Sequence, residues 1–200
     1  MDIPSAINLA IDYRRRVEEL VSGEYADDTR TILLVAYADV ALEHHEAIMM
    51  LLQHKGFGSA FSLVRILFEA FFRVHWVLGC ASDGDMQKIA RREFDFPAMG
   101  TMVVDIDARW HTDGFFETIK KQAWAAMNSY THSGIRQLSR RFKGGRIESN
   151  YSDAEIIEVI SGTTMVVLLL GLFFSKLVNR ATEAIEAQSL IGSFAEQIKA

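Results

Sequence analysis

The run Val159–Ser175, VISGTTMVVLLLGLFFS, has no charge between Glu158 and Lys176. A stretch of that length is a helix that either fills the centre of a helical protein or crosses a bilayer, since helices apolar on all sides occur in both settings. It falls just short of a full span and carries Ser161, Thr163, Thr164 and two glycines, with no charged-loop pattern framing it. A buried central helix is the expectation. The rest of the chain agrees: there are only two prolines, Pro4 and Pro97, and half of the residues are apolar, in long uninterrupted stretches. That pattern predicts an all-α fold, an up-and-down bundle with long core helices in one domain over residues 1–200.

A formal charge of −5 gives no overall attraction to nucleic acid or to an anionic membrane, so either would need a local basic patch. The lone Cys80 sits in an apolar segment, as expected of an inert thiol in a reducing compartment. The first residues, MDIPSAINLAIDYRRR, place acids early and arginines late, the reverse of a secretory signal. A cytoplasmic protein with no membrane association is expected.

Pro4–Ser22 predicts an amphipathic helix whose Arg14-Arg15-Arg16 run faces solvent. Asp27-Asp28-Thr29 should cap a second helix reaching Gly56, and a third should run from about Ser59 to a turn at Ser82-Asp83-Gly84. Two shorter helices broken at Phe96-Pro97 come next, because a residue before proline resists helical geometry. Phe115–His132 should form another helix ending at Ser133-Gly134, with Gly134 as its left-handed cap. A short basic helix, a loop over FKGGRIESNYSD and one last long helix capped by Ser152 or Asp153 complete the expected order.

Two constellations stand out. On the third helix Ser62, Arg65, Glu69 and Arg73 recur every three or four residues, an ionic stripe on an otherwise apolar rod. It is either a structural ion-pair network fixing helix register or an anion or substrate site. In WAAMNSYTHSG, Asn128, Thr131 and His132 share one helix face near its end, either as a substrate-facing patch or as groups that satisfy terminal carbonyls. Immediately afterwards Arg136, Arg140, Arg141, Lys143 and Arg146 form a basic segment with no acidic residue, the local charge that binding RNA phosphates would need. Glu43-His44-His45-Glu46 holds metal-ligand types, but consecutive helical residues point in different directions, so no metal site is expected there.

Together, SAFSLVRILFEAFFRVHWVLGCAS and WAAMNSYTHSGIRQLSRRF resemble an uncharacterised family of bacterial all-helical proteins. Its members share an Arg-x-x-x-Glu pair followed by tryptophan, here Arg65, Glu69 and Trp76. They also share an Asn-x-x-Thr-His-x-Gly signature, here Asn128, Thr131, His132 and Gly134. More remotely, Asn128-Ser-Tyr-Thr-His132 is similar to the Arg-Asn-x-x-x-His signature of the HEPN superfamily, helical bundles that often act as metal-independent ribonucleases of toxin–antitoxin and phage-defence systems. Met127 stands where that signature has arginine.

The HEPN likeness implies a homodimer that needs no cofactor or metal, with RNA and a cognate antitoxin or other protein as partners. His132 would act as general acid or base, Asn128 would orient it, and Arg65, beside Glu69, or Arg136 would supply the missing charge. The alternative expectation is a non-catalytic helical module that binds a protein partner or a small ligand. The ribonuclease reading requires an arginine within reach of His132 beside an open cleft.

Overall fold

A computed structural model describes residues 1–177 and 180–199. The expected all-α bundle is what forms, and the helices begin where side chains can satisfy their free amides. Asp2 accepts from the Ser5 amide at the start of α1 (Ile3–Leu20), and Asp28 accepts from the Arg30 and Thr31 amides at the start of α2 (Thr29–Gln53). Next comes α3 (Phe57–Gly79). Ser82-Asp83-Gly84 is a helix start rather than a plain turn: Ser82 and Asp85 make a reciprocal capping box for α4 (Asp83–Ala90). As expected, the chain is non-helical around Phe96-Pro97 before α5 (Met99–Trp110).

Then follow α6 (Phe115–Thr131) and the five-residue α7 (Ile135–Ser139). The segment expected as loop contains a minimal hairpin, with β1 (Phe142–Lys143) antiparallel to β2 (Arg146–Ile147). Gly144 and Gly145 both have positive φ at its tip, the backbone a two-residue hairpin turn of matching twist demands. Finally, the single last helix expected from sequence is two, α8 (Asp153–Leu177) and α9 (Ala181–Gln197). The Arg180 guanidinium donates to the Ser22 carbonyl at 2.7 Å and lies over the Tyr25 ring, tying the start of α9 to the end of α1.

The long helices α2, α3 and α8 pack on one another, with α1 and α9 against α8, and with α5 and α6 against α3. Buried side chains form one continuous core, centred on Phe71, Phe72, Phe116, Phe174 and Phe194. The apolar run is therefore half inside the protein: Ile160, Val167, Leu168 and Leu170 are fully enclosed, although by length and composition α8 is also sufficient to cross a bilayer. One arginine departs from the expected solvated face. Arg14 is buried, its guanidinium bridging Glu18 on α1 and Glu46 on α2 at 3.1 and 3.6 Å. Cys80 is half-buried, and burial pushes its thiol pKa up.

Two histidines are sealed in the core. His45 Nε2 lies 3.0 Å from the Thr164 hydroxyl, which itself donates to the Ile160 carbonyl, so the ring is the donor. His75 places Nδ1 2.7 Å from the Phe71 carbonyl and is enclosed by the rings of Phe71, Phe116 and Phe173. The second nitrogen of each ring has no partner. Burial lowers their pKa values to about 3 for His45 and about 4 for His75, so both rings are neutral at pH 7.

Candidate functional site

The stripe on α3 and the polar end of α6 meet. The Ser62 hydroxyl shares its proton between the Gly58 carbonyl at 2.8 Å and the Tyr130 carbonyl at 2.9 Å, and the Thr131 hydroxyl shares its own between the Met127 carbonyl at 3.0 Å and the Ser62 carbonyl at 3.2 Å. These bonds fix the register of α6 on α3. With that register, Arg65, one turn beyond Ser62, reaches His132, the residue after Thr131: Nη1 lies 2.6 Å from the imidazole Nε2. A guanidinium can only donate, so Nε2 is the acceptor and the ring proton sits on Nδ1. Arg65 is held from two other directions. Its Nε donates to Glu69 Oε1 at 2.8 Å, and its guanidinium lies over the Trp124 ring at 4.9 Å.

Arg65 thus places a cation beside His132. Met127 is buried. Arg136 lines a different cavity of about 510 Å³ between α3, α6 and α8, while its backbone amide donates to the Ser129 hydroxyl. Asn128 does not hydrogen-bond to the imidazole through its side chain. Its Oδ1 is buried without a partner, and the bond joining the two residues is the main-chain one, from the His132 amide to the Asn128 carbonyl at 3.0 Å. His132 is exposed, so its ring is open to a ligand.

Glu69 continues the stripe to Arg73, 3.5 Å away. Arg73 lies over the Phe96 ring at 5.1 Å, and its buried Nε has no partner. These groups line a cavity of about 420 Å³ bounded by Arg65, Glu69 and Arg73, by Trp124 of α6, and by the Phe94–Pro97 loop. Trp76 shapes that loop: its indole donates to Asp105 at 3.2 Å, and its ring packs on Phe94 and Phe96. No local signal in the sequence connects Trp124 or Phe94–Phe96 to Arg65, because the separations are long and the partners come from three elements.

The turn after His132 is tighter than expected, and the left-handed residue is not the glycine. Ser133 adopts φ 52°, whereas Gly134 is extended at φ −72°. Glycine is required there for space: a β-carbon at 134 would lie 2.6 Å from Ser129 Oγ and 3.0 Å from its backbone. Gly134→Ala is accordingly expected to cost about 1–3 kcal/mol by overpacking, seen as a Tm lower by roughly 3–10 °C. A thermal melt matching wild type would show that the turn relaxes freely.

The basic segment is divided by its contacts. Arg140 is ion-paired with Glu155, and the Arg141 guanidinium lies close against Gly58 on α3. Lys143 and Arg146 face each other across the exposed hairpin, beside Phe142 and Ile147, which are also paired and exposed. Phe142 belongs to no motif in the sequence. The Lys-Gly-Gly-Arg spacing was the available signal for the hairpin that presents it.

Fold and site together define an all-helical protein with an arginine–histidine pair at the edge of a charged, aromatic-walled cavity. The chain belongs to the family of unknown function DUF6988, which it matches over residues 38–200. That match includes every residue of the pair and cavity. No curated protein and no solved structure matches the chain.

Proposed function

We propose that the protein is a HEPN-like, metal-independent endoribonuclease, acting as the toxin of a bacterial defence or toxin–antitoxin system. The observation that carries this reading is the 2.6 Å contact between Arg65 and the exposed His132. Arg65 is already oriented by Glu69 and Trp124, so binding a phosphodiester requires little reorganisation of its guanidinium. The phosphate draws Nη1 onto a non-bridging oxygen, and the freed Nε2 lone pair then accepts the proton of the adjacent ribose 2′-hydroxyl. The 2′-oxygen forms a bond to phosphorus as the bond to the 5′-oxygen breaks. The products are a 2′,3′-cyclic phosphate and a 5′-hydroxyl, the latter protonated by water or by the imidazolium. Lys143 and Arg146, with Arg136, would grip the RNA backbone, and Phe142 offers a ring for base stacking. A homodimer and a neutralising protein partner in the cytoplasm belong to the same proposal.

The second reading, a non-catalytic module binding a protein partner or small ligand, draws on the Arg65–Glu69 bond, which offsets the charge the nuclease would use. Purified wild type and His132→Ala incubated with single-stranded RNA separate the two. Cleavage by wild type, reduced about 10²–10⁴-fold in the variant, supports the ribonuclease; intact RNA with both supports the module.

A further inference from the structure

We infer that the 420 Å³ cavity beside Arg65 is a guanine-recognising subsite, which binds the base of a guanine nucleotide next to the phosphate held at Arg65 and His132. Its place within an RNA chain rests on the ribonuclease reading, whereas recognition of the base does not. The walls are those a planar heterocycle needs. Trp124 stands on the α6 side and Phe94 on the loop side, and the arginine planes are themselves backed by rings, Arg65 by Trp124 and Arg73 by Phe96. Unstacked bases are bound by stacking on aromatic rings and guanidinium planes of this kind.

The polar groups select which base. Arg73 lines the cavity with a partly exposed guanidinium whose Nη2 lies 3.5 Å from Glu69. Asp95 offers a carboxylate from the Phe94–Pro97 loop, exposed and, among the described residues, in no ion pair or hydrogen bond. Guanine presents two adjacent acceptors, O6 and N7, that suit a guanidinium fork. On its other edge, N1–H and the N2 amino group are two adjacent donors that suit a carboxylate. Adenine, cytosine and uracil each lack at least one of these paired edges. The cavity therefore matches guanine in both charge signs, which a simple anion site would not do: its two arginines are balanced by Glu69 and Asp95.

The test is titration of the full chain with the four ribonucleoside 5′-monophosphates and with inosine 5′-monophosphate, followed by calorimetry and tryptophan fluorescence. GMP is expected to bind about tenfold or more tightly than AMP, CMP or UMP. Inosine monophosphate, which lacks the N2 amino group, should lose most of that advantage. Asp95→Asn should weaken GMP more than inosine monophosphate, which keeps only the N1–H donor to that carboxylate, and Arg73→Gln should weaken both. His132→Ala should keep the preference for GMP. Equal affinity for all nucleotides, absence of saturable GMP binding, or an unchanged preference in Asp95→Asn overturns the guanine subsite. RNA cleavage without GMP preference overturns this inference alone, and GMP preference without cleavage overturns the ribonuclease alone.

Discussion

Arg65→Ala is expected to lower the RNA cleavage proposed above by about 10²–10³-fold with its circular dichroism unchanged, the size of loss seen when one preorganised donor to a developing anion is removed. The loss should fall mainly on kcat, because the charge that Arg65 meets grows as the phosphorus becomes five-coordinate. Arg65→Lys is the informative companion. Lysine keeps the positive charge, but it cannot at once donate to Glu69, lie flat on Trp124 and reach His132, which Arg65 does. It should therefore recover no more than about tenfold of the lost rate. Cleavage by Arg65→Ala at the wild-type rate would remove the electrostatic part of the mechanism, whatever His132→Ala shows.

Acid should destabilise the fold well above the pH at which carboxylates titrate. His45 and His75 have folded pKa values of about 3 and about 4, below the ordinary 6.5 of an exposed histidine. Above about pH 7.5 both are neutral folded and unfolded, so their contribution is nearly constant there. As pH falls below 6.5 the unfolded chain takes up two protons that the folded core refuses, and stability declines until the folded pKa values are reached. Each unit of displacement corresponds to about 1.4 kcal/mol, so the pair lowers stability by roughly 4 kcal/mol between pH 7.5 and pH 5. That is a large share of the ~5–15 kcal/mol usual for a domain.

His75→Leu provides the control, since leucine suits a cage of Phe71, Phe116 and Phe173 and replaces a nitrogen that bonds to nothing. Urea midpoints at the two pH values should then differ by about half as much. An unchanged pH dependence in His75→Leu would mean that other groups govern acid unfolding.

The parts of the fold written in local side-chain chemistry were legible in the sequence. Asp28 and Ser152 mark helix starts because capping needs only neighbours three residues away, and Pro97 marks a break for the same local reason. The division between α8 and α9 was not legible, since nothing between Lys176 and Arg180 is a proline or a glycine. Burial of Arg14 was hidden for a different reason: Glu46, one of its two partners, belongs to another helix. At the site, spacing placed Arg65 and Glu69 on one face and His132 at a helix end. Joining them required the Ser62–Tyr130 and Thr131–Ser62 bonds, a pairing across the chain that no periodicity encodes. The cavity wall from Phe94 to Pro97 was still harder to foresee, because it is a loop shaped by Trp76.

Asp107 gives this arrangement its geometry from a distance. Its carboxylate, on α5, accepts from the Phe116 and Glu117 amides at 3.0 and 2.9 Å and so anchors the first turn of α6, while Ser62 fastens the last turn to α3. The helix is thus a beam clamped at both ends, and the gap between Arg65 and His132 is a dimension set by the mounting rather than by the pair itself. Drift at the far clamp would change that gap without touching either side chain.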